Sequence, residues 1–207
     1  MSGGEIQLKA GQHIAVLGRN GSGKTYWIRE TLIPTWRRVI VLDTEQMDYD
    51  ELTPVRVGTA IRLAKGDKAF RVRVLARGDR SEADSALLDN LCYGLLNGGH
   101  DTMVVLDEAT DFSDAHRIPD SLRGLVRKAR KRNISVVMGS QRPAMLAKDA
   151  YTQSSHLVVF YLADYDAEAI KSYAPWVKDR LSEIPYYSYK FLYQGPDGVV
   201  HVLQSAP

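Results

Sequence analysis

The sequence predicts an α/β domain built on a largely parallel sheet, and three observations lead there. Short apolar runs alternate with stretches of helical periodicity from one end of the chain to the other. A glycine-rich octet, GRNGSGKT, sits between one such run, HIAVL, and a helical stretch. No internal repeat, low-complexity tract or long linker divides the 207 residues, so at roughly 150 residues per domain the chain reads as a single domain over 1–207. Hydrophobic residues at 44% and charged residues at 25% lie close to the globular average, which argues against disordered, collagen-like and coiled-coil classes.

The elements follow in order. His13 to Leu17 is the first strand, and the helix after it runs from Gly23 to Thr31. Strands come next at Arg38 to Asp43 and Phe70 to Leu75; between them, Leu52 to Lys68 is the least patterned stretch and reads as an irregular excursion. Glu82 to Leu96 is a helix, Thr102 to Leu106 a strand, and Pro119 to Arg132 a helix whose Leu122, Leu125, Val126 and Ala129 recur at i, i+3, i+4 and i+7 as one core-facing stripe. Strands at Ile134 to Met138 and Leu157 to Leu162 complete the sheet, followed by a helix from Asp166 to Leu181 that Pro175 weakens in its middle. The tail SYKFLYQGPDGVVHVLQ holds two β-rich runs around GPDG and predicts a terminal hairpin at a sheet edge. The tyrosines beside it, Tyr186, Tyr187, Tyr189 and Tyr193, read as packing residues, with base stacking or a subunit contact as alternatives.

Composition removes several function classes. No apolar run reaches the ~18 residues a membrane span needs, and MSGGEIQLKAGQ lacks the features of a secretory leader, so a soluble protein of the cytoplasm is expected. The single Cys92 reads as a small buried hydrophobe. The histidines His13, His100, His116, His156 and His201 are scattered without metal-ligand spacing, and no zinc or iron site is assigned. A net charge of +2 gives the whole molecule little pull on a polyanion, so any such partner must meet a local patch.

The octet carries the first chemistry. Gly18 to Thr25 satisfies GxxxxGK[ST] in the strand–loop–helix context that the motif requires. Its glycines Gly18, Gly21 and Gly23 let successive N–H groups face a phosphate, and the helix behind adds its positive end. The candidate nucleotide surface is therefore Gly18, Arg19, Asn20, Gly21, Ser22, Gly23, Lys24, Thr25 and the adjoining Tyr26. Lys24 would reach the β- and γ-phosphates of ATP, and Thr25 would offer its hydroxyl to Mg²⁺. This cradle serves motors, kinases and switches alike.

The second motif discriminates more. TMVVLDE buries a strand and delivers Asp107 and Glu108 to its C-terminal rim, where ligands of open α/β sheets bind. Asp107 fits the acid that holds Mg²⁺, and Glu108 is placed to polarise the water that attacks the γ-phosphate; a hydrolase needs this second acid. Gln141 follows the strand ISVVMGS. Its amide either reaches the γ-phosphate and attacking water or caps the next turn.

Together GRNGSGKT, MVVLDEATDF and LVRKARKRNISVVMGSQRP resemble the FtsK–HerA superfamily of DNA-pumping ATPases, and the short chain is similar to genome-packaging ATPases of tailless, membrane-containing icosahedral viruses. The resemblance spans about Ile14 to Leu162. It implies a three-layer P-loop NTPase of the additional-strand type with sheet order 5-1-4-3-2, and a ring, pentamer or hexamer, with ATP and Mg²⁺ at subunit interfaces. Lys24, Thr25, Asp107, Glu108 and Gln141 carry over as phosphate ligand, metal ligands, acid and sensor. Arg130, in the AR pair, is the first candidate for an arginine finger, and Arg127 the reserve; Arg130 shares a helix flank with Arg123. His156 stands where FtsK proteins carry an arginine, and no winged-helix tail for reading DNA sequence follows.

Two basic clusters offer grip without sequence reading: Arg62, Lys65, Lys68, Arg71, Arg73, Arg77 and Arg80, then Arg127, Lys128, Arg130, Lys131 and Arg132. The expected function is ATP hydrolysis coupled to translocation of double-stranded DNA into a preformed capsid, in the host cytoplasm or at the packaging vertex, against capsid or membrane proteins. The alternatives are a nucleotide-dependent switch or assembly and extrusion factor of the same superfamily, and an ABC-type cassette, which shares the loop but requires an LSGGQ-like signature that does not precede Asp107. The loop Thr110 to Arg117 reads as a surface connection or as a segment that moves with hydrolysis.

Overall fold

The computed structural model describes Ile6 and residues 8–46, 48–113 and 118–205. Its strands are β1 (Ile14–Leu17), β2 (Arg38–Asp43), β3 (Thr53–Pro54), β4 (Phe70–Leu75), β5 (Met103–Leu106), β6 (Ser135–Ser140), β7 (His156–Val159), β8 (Lys190–Gln194) and β9 (Val200–Gln204). They form a nine-stranded sheet in the order β3-β4-β2-β5-β6-β1-β7-β8-β9. Pairing is parallel from β3 to β7, and β7–β8 and β8–β9 are antiparallel. Numbering β1, β2, β5, β6 and β7 as 1 to 5 gives the order 5-1-4-3-2, with β4 and β3 added outside β2.

The central strands are buried on both faces, which is why they read as unbroken apolar runs. Alternate residues serve two cores. Ile14, Val16, Val39, Val41, Met103, Val105 and Val137 meet Trp27, Ile28, Ile33, Phe160 and Phe191 on one side. Leu17, Ile40, Leu42, Val104, Leu106, Val136 and Met138 meet the helices α2 (Val57–Lys65), α3 (Glu82–Leu96) and α4 (Asp120–Lys128) on the other. The result is three layers. In α3 the stripe is Leu88, Leu91, Cys92 and Leu95, each at most 1% exposed, and Ser81 caps its start by accepting the Asp84 N–H. Burial pushes the Cys92 thiol up to about 12, as expected of a packing residue.

Three expectations need correction. The stretch from Leu52 to Lys68 contains β3 and the helix α2. Its buried stripe rests on Ala60 and Ala64, too small to stand out as apolar periodicity, with Gly58 in the first turn. The helix expected from Asp166 to Leu181 is two short ones, Asp164–Ala169 and Trp176–Arg180, because Pro175 starts the second and cannot donate into the first. The helix of Arg130 ends early: α4 stops at Lys128, and Ala129–Arg132 is a 3₁₀ turn closed by Asn133 at φ 56°. The 100° spacing that set Arg130 beside Arg123 therefore does not hold through that turn. A shorter helix, Lys148–Gln153, was not expected.

Candidate nucleotide site

β1 hands the chain to the phosphate loop under restraint from both neighbours. The Gly18 N–H donates to the Ser140 carbonyl at the end of β6 (3.1 Å), and the Arg19 N–H to the Tyr161 carbonyl beyond β7 (2.9 Å). The loop closes through the Ser22 N–H on the Arg19 carbonyl (3.0 Å), and Gly23 takes φ 101°, a value that suits glycine. The helix α1 (Lys24–Trp27) starts at once, so Lys24 and Thr25 leave its first turn toward the rim of the sheet.

There they meet β5. The Asp107 carboxylate accepts from Lys24 Nζ (2.6 Å), Thr25 Oγ1 (2.8 Å) and the Tyr49 hydroxyl (3.0 Å); Lys24 also donates to the Asp107 carbonyl (3.1 Å). Lys24 is 5% exposed and Asp107 13%, so the pair is largely out of water. Glu108 accepts on one oxygen from the Thr110 hydroxyl and on the other from the Gln141 N–H (3.0 Å). Close approach of β5 and β6 permits this: a Cβ at Gly139 would run into the Asp107 carbonyl oxygen. These groups line a cavity of ≈ 140 Å³ together with Asn20, Asp43, Thr44, Glu45 and Asp48 from the loop region and the end of β2.

The electrostatics follow from burial. Desolvation pushes the Glu108 carboxyl above its ordinary 4.5, and the Thr110 hydroxyl, the Lys24 charge and the Gln141 amide oppose it. Asp48 is raised by burial first and then by the charges of Asp107 and Asp43. Burial, followed by the Asp107 charge, holds the Tyr49 hydroxyl far above 10.0, so it remains a donor.

The donor set fits a magnesium nucleotide. Thr25 Oγ1 and Asp107 Oδ2 lie 2.8 Å apart, two hard oxygens of the kind Mg²⁺ takes beside phosphate and water. Lys24 is a buried ammonium aimed into the same cavity, where an anion competes with Asp107 for it.

The structure thus brings together Gly18 to Thr25, Asp107, Glu108 and Gln141, and adds polar groups from the end of β2 and the loop after it. Gln141 lines the cavity, and its backbone N–H, not its side-chain amide, holds Glu108. Arg127 and Arg130 are elsewhere. The backbone and stem of Arg130 abut Gly11, just ahead of β1, at the opposite end of that strand from the phosphate loop. Arg127 is exposed and pairs with Asp149 at 3.5 Å. Neither reaches the site of its own chain. His156 is buried between the Tyr193 hydroxyl (2.8 Å) and Gln12 Oε1 (2.9 Å) at the start of β7. The first basic cluster is not one patch: Arg71 donates to the Trp36 and Pro34 carbonyls, and Arg73 is paired with Asp43 and Asp50. Of the loop from Thr110 to Arg117, residues 114–117, His116 among them, lie outside the described residues; Thr110 is bound to Glu108.

Sequence reasoning missed Tyr49, Asp48 and Thr110. An available signal was the acid ending β2 at Asp43, since that strand also ends at the ligand-binding rim of the sheet. Tyr49 carries no signal of its own, because its contact with Asp107 spans 58 residues.

No protein-family model matches the chain, and no curated protein matches its sequence. Solved structures do match. The genome packaging NTPase B204 of Sulfolobus turreted icosahedral virus 2, in complex with ATP-gammaS, superposes with a TM-score of 0.79 at 16% identity, over 97% of this chain and 100% of that one. VirB4 of Thermoanaerobacter pseudethanolicus gives 0.65 at 12% identity over 94% and 90%. The pCW3 conjugation coupling protein TcpA with ATPgS gives 0.59 at 15% identity over 96% of this chain and 61% of that one. These are FtsK–HerA type P-loop ATPases, and the fold of this chain is theirs.

Proposed function

We propose that this chain is an ATP-hydrolysing motor that moves double-stranded DNA and packages a viral genome into a preformed capsid. The observation that carries the reading is the convergence of Lys24, Thr25, Asp107, Glu108 and Gln141 on one cavity at the ends of β1, β5 and β6. The fold shared with a viral packaging NTPase supports the choice of polymer and task. The chain would act as one domain in a ring, pentamer or hexamer, at the packaging vertex or in the host cytoplasm, against capsid or membrane proteins. Among the described residues, no helix is long and apolar enough to cross a membrane.

In the chemistry, Lys24 exchanges its contact with Asp107 for the β- and γ-phosphates, and the loop N–H groups hold the rest of the triphosphate. Thr25 and Asp107 would hold Mg²⁺, which supplies Lewis-acid neutralisation of the phosphate charge. Glu108, ionised and released from Thr110, takes the proton of the attacking water, and Gln141 orients that water from the β6 side. Arg130 or Arg127 serves a neighbour's site, since each is exposed and remote from its own. The exposed basic side chains Arg62 and Lys65 of α2 and Lys128, Lys131 and Arg132 at and beyond the end of α4 supply salt-sensitive phosphate contacts, weak singly and summed over a ring.

Steady-state ATPase assays with and without double-stranded DNA test the reading. DNA stimulates turnover, and Glu108→Gln lowers it by about 10²–10⁴-fold while ATP binding survives. Turnover indifferent to DNA would instead favour a nucleotide switch.

A further inference from the structure

The tyrosines ahead of the terminal hairpin are used neither by the sheet nor by the chemistry above. Tyr187 and Tyr189 both hold φ in the left-handed region, at 60° and 54°. Bulky residues take this conformation where their surroundings impose it. Here the surroundings are the phosphate loop. The Tyr186 hydroxyl donates to the Asn20 carbonyl at 2.8 Å. Its ring lies 5.7 Å below the Arg19 guanidinium and packs on Tyr161 at 5.0 Å and Tyr187 at 3.9 Å. The Tyr189 carbonyl accepts the Ser205 N–H (2.9 Å), which ties the turn to the end of β9. The Tyr189 ring crosses Gly23 so closely that a Cβ there would stand 2.8 Å from Cδ1. Tyr189 and Tyr26 then line a cavity of ≈ 280 Å³ that shares Asn20, Lys24, Thr25, Asp48 and Gln141 with the phosphate cavity.

We propose that Tyr189 and Tyr26 form the base-stacking end of the nucleotide site, which grips a nucleobase by its face and leaves its edge unread, so that ATP and GTP are taken alike. The inference rests on the nucleotide reading above and deepens it. An aromatic ring stacks on any base because every base has a π face. Beside the two rings, Gly21 and Gly23 have no side chain and Arg19 is held over Tyr186, while Asn20, Asp48 and Gln141 belong equally to the phosphate cavity, so the lining peculiar to this end is aromatic face. The bond from Tyr186 to Asn20 keeps the aromatic wall docked while the loop holds phosphate. On this account the terminal hairpin is part of the nucleotide site as well as an edge of the sheet.

Equilibrium binding of ATP, GTP and inorganic tripolyphosphate, each with Mg²⁺, tests the proposal. The unaltered chain binds both nucleotides with affinities within about threefold of each other, and both about tenfold or more tighter than tripolyphosphate. Tyr189→Leu weakens ATP and GTP about tenfold and leaves tripolyphosphate unchanged, and Tyr189→Phe restores nucleotide affinity. The proposal is overturned if the leucine variant keeps its ATP affinity, if it loses tripolyphosphate as much as ATP, or if GTP is excluded. Failure of the unaltered chain to bind any of the three would overturn the nucleotide reading itself.

Discussion

Replacing Gly139 by alanine tests whether the ends of β5 and β6 touch as described. The new methyl group would be driven into the Asp107 carbonyl oxygen. Both sides of that contact are backbone in the middle of a sheet, so no flexible side chain can move aside, and the strand ends must separate. Overpacking of this kind costs about 1–3 kcal/mol. For a chain of this size that lowers Tm by about 2–12 °C. The same displacement carries Asp107 away from Lys24 and Thr25, which now lie 2.6 and 2.8 Å from its carboxylate. A misplacement near 1 Å in a reacting constellation costs about 10²-fold in rate. Urea unfolding gives the folded fraction, and ATP turnover is measured where the variant is fully folded. Gly58→Ala is the matched control, because a Cβ there meets nothing within 4 Å on the surface of α2; it should leave turnover unchanged and gain about 0.4–1 kcal/mol. If Gly139→Ala unfolds and hydrolyses ATP as the unaltered chain does, the close approach that positions Asp107 is wrong.

Two further outcomes follow from the site. Burial raises the folded-state pKa of Glu108 above its unfolded value, so between those two values the folded chain binds more protons and stability falls as pH rises. Hydrolysis needs the ionised form, so turnover climbs with pH through an acidic limb displaced above the usual carboxylate range; Glu108→Gln should flatten the stability slope in urea titrations across that window. Arg130→Ala should lower turnover by about 10³-fold or more if it supplies the finger, and mixing with Glu108→Gln subunits should recover part of it, since the latter donate an intact Arg130. Equal turnover of Arg130→Ala and the unaltered chain would move the assignment to another arginine.

Legibility in the sequence depended on what each residue needs. The central strands were plain because two-sided burial demands continuous apolar runs, and β2 and β4 match their expected bounds residue for residue. Lys24, Thr25 and the Asp107–Glu108 pair were readable because each lies at a fixed offset from the end of such a strand. α2 was hidden by its alanines. Tyr49 was hidden for a different reason: its contact with Asp107 is one that no local spacing encodes. Tyr189 was read first as packing, with base stacking as an alternative, because its approach to Gly23 is equally non-local. The placing of Arg130 on one flank with Arg123 failed because a helical wheel assumes a helix, and the last turn tightens before that residue.

The run from Gly139 to Arg142 joins parts that are distant in the chain. Gly139 bears on Asp107, the Ser140 carbonyl holds the first glycine of the loop, the Gln141 N–H holds Glu108, and the Arg142 N–H returns to the Ser140 hydroxyl before a turn that Tyr151 fastens at the Pro143 carbonyl. Consecutive peptide units thus touch the phosphate loop, Asp107 and Glu108 on one side and the turn at Pro143 on the other. A substitution that shifts this run would therefore be expected to move the loop, Asp107 and Glu108 together.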